Sequence, residues 1–251
     1  MSFLNTSPSS LADLVLKPIT RELLNQLVTG VRPFGLNSVN GLLLYGPPGT
    51  GKTTTAGLLP SLLDPLLTTL PVPDVIGGLY GMMCGKEMHC YEHFCGAGNG
   101  GANNGTALLT AVENSIANGW RGSSGWSYII LNEVDELKYS AMQSLRSLMD
   151  RFQNVCWIFT TNHLNKVEAG VKNRCVLIDM TAAQDTAWAA RCNQILSSHG
   201  LPSLSEEALA PLFVNSCGSA RDVMGSLGTA VNMNREAAAA MSGVKSAPLV
   251  M

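Results

Sequence analysis

Charge is scarce in this chain. Asp, Glu, Lys and Arg make up 14% of its 251 residues and the formal net charge is -2, which excludes a surface coated with basic side chains for nucleic acid. Contact with DNA must then come from a local patch or one shared between subunits, so DNA binding is expected only after assembly. No apolar run approaches the ~20 residues that a membrane-spanning helix needs, and no membrane partner is expected. There is no internal repeat and no heptad pattern. The chain opens without an apolar leader, and its seven cysteines are an odd number, several of them within apparent core strands. Reduced thiols in a cytoplasmic compartment are the expectation.

What is present starts with Gly46-Pro47-Pro48-Gly49-Thr50-Gly51-Lys52-Thr53, followed by Thr54. It fits the phosphate-loop pattern G-x-x-x-x-G-K-[ST] in full, after a short apolar run (Leu42, Leu43, Leu44, Tyr45) and before a helix-like segment. Glycines let backbone N–H groups turn inward around a triphosphate, and the helix N-terminus adds its positive dipole end. Lys52 is expected to hold the β- and γ-phosphates of ATP, and the Thr53 hydroxyl to ligate Mg²⁺. At 251 residues the chain has room for one α/β domain and a small second one.

Upstream, Leu23, Leu24, Leu27 and Val28 repeat at helical spacing and Gly30 closes the segment. Such a segment either covers an adenine ring or simply packs the core. Downstream, Pro60 and Pro65 are expected to shorten or break the helix that follows the phosphate loop. Cys84, His89, Cys90, His93 and Cys95 are zinc-ligand types, but their spacing lacks a C-x-x-C knuckle. A strand with Cys90 and Cys95 as core or site residues is the competing reading, and zinc is not expected. Residues 96–105 are glycine-rich and read as a loop, Thr106 to Asn118 as an amphipathic helix. Trp120 and Trp126 flank a second glycine-rich loop, where packing the loop down competes with stacking on bases.

Tyr128-Ile129-Ile130-Leu131 is an apolar run suited to a buried parallel strand, and it delivers Asn132 and Glu133 to the edge where a phosphate loop sits in an open α/β sheet. Glu133 is placed to polarise an attacking water. Position 132 usually holds an aspartate on the Mg²⁺ side. Asn132 brings no charge and is expected to act only through a Mg²⁺-bound water, so ATP binding is expected more firmly than fast hydrolysis.

Together these motifs resemble AAA+ ATPases of the clamp-loader family, the replication factor C small subunits and their bacterial relatives. Leu131-Asn132-Glu133-Val134-Asp135-Glu136-Leu137 followed by Ser144-Leu145-Arg146-Ser147-Leu148-Met149-Asp150 resembles the Walker B strand and next helix. Trp157-Ile158-Phe159-Thr160-Thr161-Asn162 is similar to the sensor 1 strand, Val171-Lys172-Asn173-Arg174-Cys175 to the Ser-Arg-Cys motif, and Gly218-Ser219-Ala220-Arg221-Asp222 to sensor 2. The resemblance runs from about residue 10 to about residue 235. It implies a P-loop NTPase (AAA+) parallel sheet flanked by helices in residues 1–180, and a helical lid with a short tail in residues 181–251. By resemblance Asn162 orients the water, Arg174 is an arginine finger for a neighbouring subunit, and Arg221 contacts the γ-phosphate from the lid. The implied partners are other AAA+ subunits, in a homo- or hetero-oligomer, and a sliding clamp or other replication or recombination protein on DNA. Asn132, Asn173 and the lack of room for a C-terminal collar domain depart from the family pattern. A switch in which ATP binding alone drives assembly, and a client such as a helicase or transposase, are the alternatives.

Elemental analysis of the purified chain is expected to find no stoichiometric zinc. A full equivalent would establish the Cys/His segment as a metal site.

Overall fold

The computed structural model describes residues 8–32, 39–63, 82–83, 90–95, 105–118, 126–183, 185–214, 216 and 218–241. Six strands form one sheet: β1 (Gly41–Tyr45), β2 (Met82–Met83), β3 (Cys90–Phe94), β4 (Ser127–Asn132), β5 (Val155–Thr161) and β6 (Cys175–Asp179). Their order is β2-β3-β4-β5-β1-β6, with β2 antiparallel to β3 and the other pairings parallel. β1 therefore inserts between the later strands β5 and β6. The reversal of strand order puts the C-terminal ends of β4, β5 and β1 side by side.

The apolar strands are buried because helices cover both faces. Alternation along each strand divides the core in two. Leu42, Leu44, Ile130 and Ile158 face a cluster that includes Leu24 and Leu27 of α1 (Pro18–Val28) and Ala56 and Leu59 of α2 (Lys52–Leu63). Leu43, Ile129, Leu131, Trp157 and Phe159 face the other, with Leu109 and Val112 of α3 (Thr106–Asn118) and Leu145 and Met149 of α4 (Tyr139–Arg151). Each fully buried large side chain contributes about 1.5–3 kcal/mol. A short helix, α5 (Ala169–Lys172), leads into β6. A third cluster joins α6 (Asp185–Ser198), α7 (Glu206–Val214) and α8 (Ala220–Met241) around Trp188, Leu196, Leu209, Phe213 and Leu227.

Several sequence expectations change. α2 runs unbroken through Pro60, which is buried in its last turn, while Pro65 lies outside the described residues. α8 continues as one helix to Met241, in line with the high helix propensity of alanine. Cys90 to Phe94 is a strand, with Cys90 buried; Cys84 and His89 lie outside the described residues. Among the described residues no three metal-ligand side chains gather. Trp126 packs against the first core cluster, and Trp120 lies outside the described residues. Cys90, Cys95, Cys156, Cys175 and Cys192 are free thiols, and no described helix is long and apolar enough to cross a membrane.

Asn40 ties α4 to the entry of β1. It is fully buried, and its Nδ2 donates to the carbonyls of Met149 at 3.0 Å and Phe152 at 3.2 Å, at the end of α4 where helix carbonyls lack intrahelical partners. Asn40→Ala is expected to cost about 1–3 kcal/mol in urea unfolding, with an unchanged slope.

Candidate active site

β1 delivers the chain to residues 46–53 at the edge formed by the C-terminal ends of β4 and β5. Gly46, Gly49 and Gly51 take φ of 154°, 79° and 87°, conformations that side chains resist. A Cβ at position 49 would also lie 2.3 Å from Ser219 Oγ. The close approach is used: the N–H of Arg221 at the start of α8 meets the Gly49 carbonyl at 3.4 Å, seating α8 on the loop.

Lys52, at the start of α2, folds back over the loop. It is buried, and its Nζ donates to the carbonyls of Gly46 at 2.9 Å and Pro47 at 2.6 Å. Burial lowers its pKa from the usual lysine value. The negative charges of Asp135 and Glu133 oppose that shift, and the guanidinium of Arg221 adds to it. Two cations and two carboxylates thus share one field beside the loop. Thr53 and Thr54 follow with exposed side chains.

The loop forms one wall of a cleft of about 740 Å³. Pro48, Gly49, Thr50, Gly51, Lys52, Thr53 and Thr54 line it together with Glu133, Asn162 and Arg221, so the structure gathers these expected residues in one place. Leu14, Leu16, Met180, Trp188 and Met224 give the cleft an apolar end. Leu14 and Leu16 also belong to the first core cluster, and Leu24 and Leu27 of α1 pack into that cluster without lining the cleft. Asp13 and Arg191, paired at 2.7 Å, join this segment to α6. The backbone N–H of Ser9, more than Arg191, holds the Asp13 carboxyl well below the usual carboxylate range.

Glu133 leaves β4 with φ 58° and ψ 47°, the one positive φ outside glycine among the described residues. Holding such a backbone costs of order 1–3 kcal/mol and marks a position that the surroundings impose. Its N–H donates to Thr160 Oγ1 at 3.1 Å. Asp135 is buried and accepts from Thr161 Oγ1 at 2.7 Å, and the same threonine oxygen accepts from His163 N at 2.9 Å just beyond Asn162. Sequence reasoning missed Thr160, Thr161 and Asp135 as parts of the site. The available signal was the change from apolar to small polar residues at the end of β5.

The Asn132 expectation meets a different arrangement. Asn132 is fully buried; its Oδ1 accepts from Thr160 Oγ1 at 2.9 Å and its Nδ2 donates to Glu92 Oε1 on β3. Both ends of the amide are engaged within the sheet. The fit to Mg²⁺ therefore rests on the exposed Thr53 hydroxyl, with Glu133 on the same cleft, and the fit to phosphate on the three left-handed glycines and the Lys52 ammonium.

Arg174 stands elsewhere. Its carbonyl accepts from Gly41 N at 2.9 Å, which places it beside the N-terminal end of β1, whereas the phosphate loop leaves the C-terminal end. Five residues of strand, roughly 15 Å, separate the two. Its Nε and Nη2 bind the Asp150 carboxylate of α4 at 2.6 and 2.8 Å, and Nη1 donates to the Gly170 carbonyl at 2.7 Å. These bonds hold the Asp150 carboxyl below its ordinary value and raise the Arg174 guanidinium.

Comparison with known proteins agrees with this geometry. The model of the ATPase family associated with various cellular activities (AAA) matches residues 42–180. Replication factor C small subunit 2 of Pyrobaculum arsenaticum is 26% identical over 196 residues, which cover 78% of this chain and 54% of that protein. Replication factor C subunit 4 of Encephalitozoon cuniculi is 24% identical over 226 residues, covering 90% of this chain and 63% of that protein. The chain thus spans about half the length of the Pyrobaculum relative. A solved point mutant of Thermotoga maritima RuvB shares the fold with a TM-score of 0.60 at 16% identity, over 88% of this chain and 64% of that one.

The Asp150–Arg174 pair has a pH signature. A carboxyl with a depressed folded-state pKa contributes stability that is present above its unfolded value and is lost as pH falls through the folded one. Asp150→Asn is expected to cost about 0.2–1 kcal/mol at neutral pH, the range for a partly exposed pair. Thermal melts should show the gap between mutant and wild type closing as pH falls below about 4.

Proposed function

The chain belongs to the AAA family of ATPases, and from that membership we propose that it is a clamp-loader-like subunit that hydrolyses ATP within an oligomer of such subunits. Residues 1–180 form the ATPase domain and residues 181–251 the lid. The work of the cycle is to load or remodel a protein–DNA complex in DNA replication or a related process in the cytoplasm. Similarity to the replication factor C small subunits supports the DNA link, and the low net charge favours DNA contact after assembly.

The observation that carries the oligomer is the position of Arg174. It lies at the opposite end of β1 from its own phosphate loop, so it reaches a nucleotide only in a neighbouring subunit. Asp150 and Gly170 hold the guanidinium at that edge in a fixed orientation. An Arg supplied in trans neutralises transition-state charge and ties hydrolysis to assembly.

Within one chain the roles follow from the cleft. The N–H groups of the loop and the Lys52 ammonium bind the phosphates, and the Thr53 hydroxyl holds Mg²⁺. When bound, Mg²⁺ supplies charge neutralisation at the phosphate oxygens. Glu133, exposed on the cleft, takes the proton of the attacking water, and Asn162 orients that water. Arg221, carried by α8 and seated on the loop, senses the γ-phosphate and links it to the position of the lid. Residues from β1, β4, β5 and α8 thus converge on one substrate, which fixes the reacting groups before chemistry begins.

A second reading has one observation in its favour. Position 132 holds an amide where an acid is usual, and this suits a switch in which ATP binding drives assembly and hydrolysis is vestigial. Arg174→Ala separates the two. The ATPase reading predicts ATP affinity within about twofold of wild type and turnover lower by about 10³-fold or more, the range for a trans arginine. Full turnover in the mutant would remove the inter-subunit mechanism. A wild type that binds ATP without turning it over at any protein concentration would select the switch.

A further inference from the structure

Glu92 lies on β3, outside every motif described above, and yet it bonds Asn132, the neighbour of Glu133 and Thr160 that line the cleft. β3, β4 and β5 are parallel neighbours. Glu92 pairs in register with Ile130, two residues before Asn132, and Leu131 pairs with Phe159, one residue before Thr160. Glu92, Asn132 and Thr160 therefore form a polar row across three strands, just below the edge of the cleft. The bonds are continuous: Glu133 N donates to Thr160 Oγ1 at 3.1 Å, Thr160 Oγ1 donates to Asn132 Oδ1 at 2.9 Å, and Asn132 Nδ2 donates to Glu92 Oε1.

Donor and acceptor chemistry sets the direction of each bond. A backbone N–H can only donate, so the threonine oxygen accepts from Glu133 and directs its single proton to the other side. The amide oxygen of residue 132 receives that proton, which turns its NH₂ group toward Glu92. An ionised carboxylate only accepts, so Glu92 completes the row. An amide at position 132 is the side chain that fits, with an acceptor toward Thr160 and a donor toward Glu92. An aspartate there would have no proton for Glu92 and would set carboxylate against carboxylate at a fully buried position.

We propose that Glu92 is a positioning residue of the ATP site, holding Asn132 and, through Thr160, the backbone of Glu133 in its left-handed conformation at the cleft. The carboxylate absent from β4 is present on β3, and Asn132 is its partner. The effect on hydrolysis rests on the ATPase reading given above; the pairing of residues 92 and 132 does not.

The test uses the full chain in five forms: wild type, Glu92→Ala, Glu92→Gln, Asn132→Asp and the double variant Glu92→Gln with Asn132→Asp. Thermal midpoint, affinity for ATP and steady-state turnover are measured for each. Glu92→Ala should lower turnover about 10²-fold, the size of effect that slight misplacement produces, with ATP affinity within about twofold. Glu92→Gln should recover most of the loss, because its amide oxygen still accepts from Asn132. Asn132→Asp should lower the thermal midpoint by roughly 6–20 °C, the cost of an uncompensated buried charge in a chain of this size. Adding Glu92→Gln to Asn132→Asp should restore most of that midpoint, since the glutamine NH₂ then donates to the aspartate. An Asn132→Asp chain as stable as wild type, or a double variant no better than Asn132→Asp alone, overturns the pairing. Unchanged turnover in Glu92→Ala overturns the positioning role. If the wild type binds ATP without turnover, the ATPase reading fails, and the melting cycle still decides whether Glu92 and Asn132 are partners.

Discussion

A buried ammonium is the constraint on which this structure turns. Lys52 is withdrawn from solvent at the edge of the sheet, where an unpaired charge costs several kcal/mol. Two carbonyls of the phosphate loop accept its protons, and the field of Glu133 and Asp135 offsets part of the desolvation. The loop that presents those carbonyls turns with Gly46, Gly49 and Gly51 in left-handed conformations. Asp135 stays in place through Thr161, and Glu133 through Thr160. The loop, the end of β4 and the end of β5 are thus one electrostatic unit.

The same sheet separates two functions by its polarity. Its C-terminal edge carries the residues that face this chain's own cleft, and its N-terminal edge carries Arg174 on a bidentate carboxylate. The strands between are apolar over most of their length, so their register is fixed by burial on both faces. A rigid slab with a cleft at one end and a fixed guanidinium at the other suits the proposed oligomer of subunits. The seat of α8 on Gly49 adds a route by which events at the phosphates reach the lid helices.

Much of this was legible in the residues. The apolar runs at 42–45 and 128–131 are strands because nothing else buries them, and the glycine pattern at 46–51 announced its own backbone. The convergence of Glu133, Asn162 and Arg221 on one cleft followed from motif order. The row through Glu92 was not legible, because it joins three strands by register, and register is a property of the sheet rather than of any segment. The Asp150 partner of Arg174 was hidden because 24 residues separate the two, and only the packing of α4 against α5 brings them together. Pro60 was misjudged where its local breaking tendency was weighed without tertiary support.

The most direct measurement of the account is steady-state ATP hydrolysis across a range of protein concentrations, with and without primer-template DNA. A site completed by a neighbour's Arg174 predicts turnover per chain that rises steeply with concentration and rises again with DNA. Turnover per chain that stays constant down to the highest dilution would mean that each chain hydrolyses ATP alone, and would contradict it.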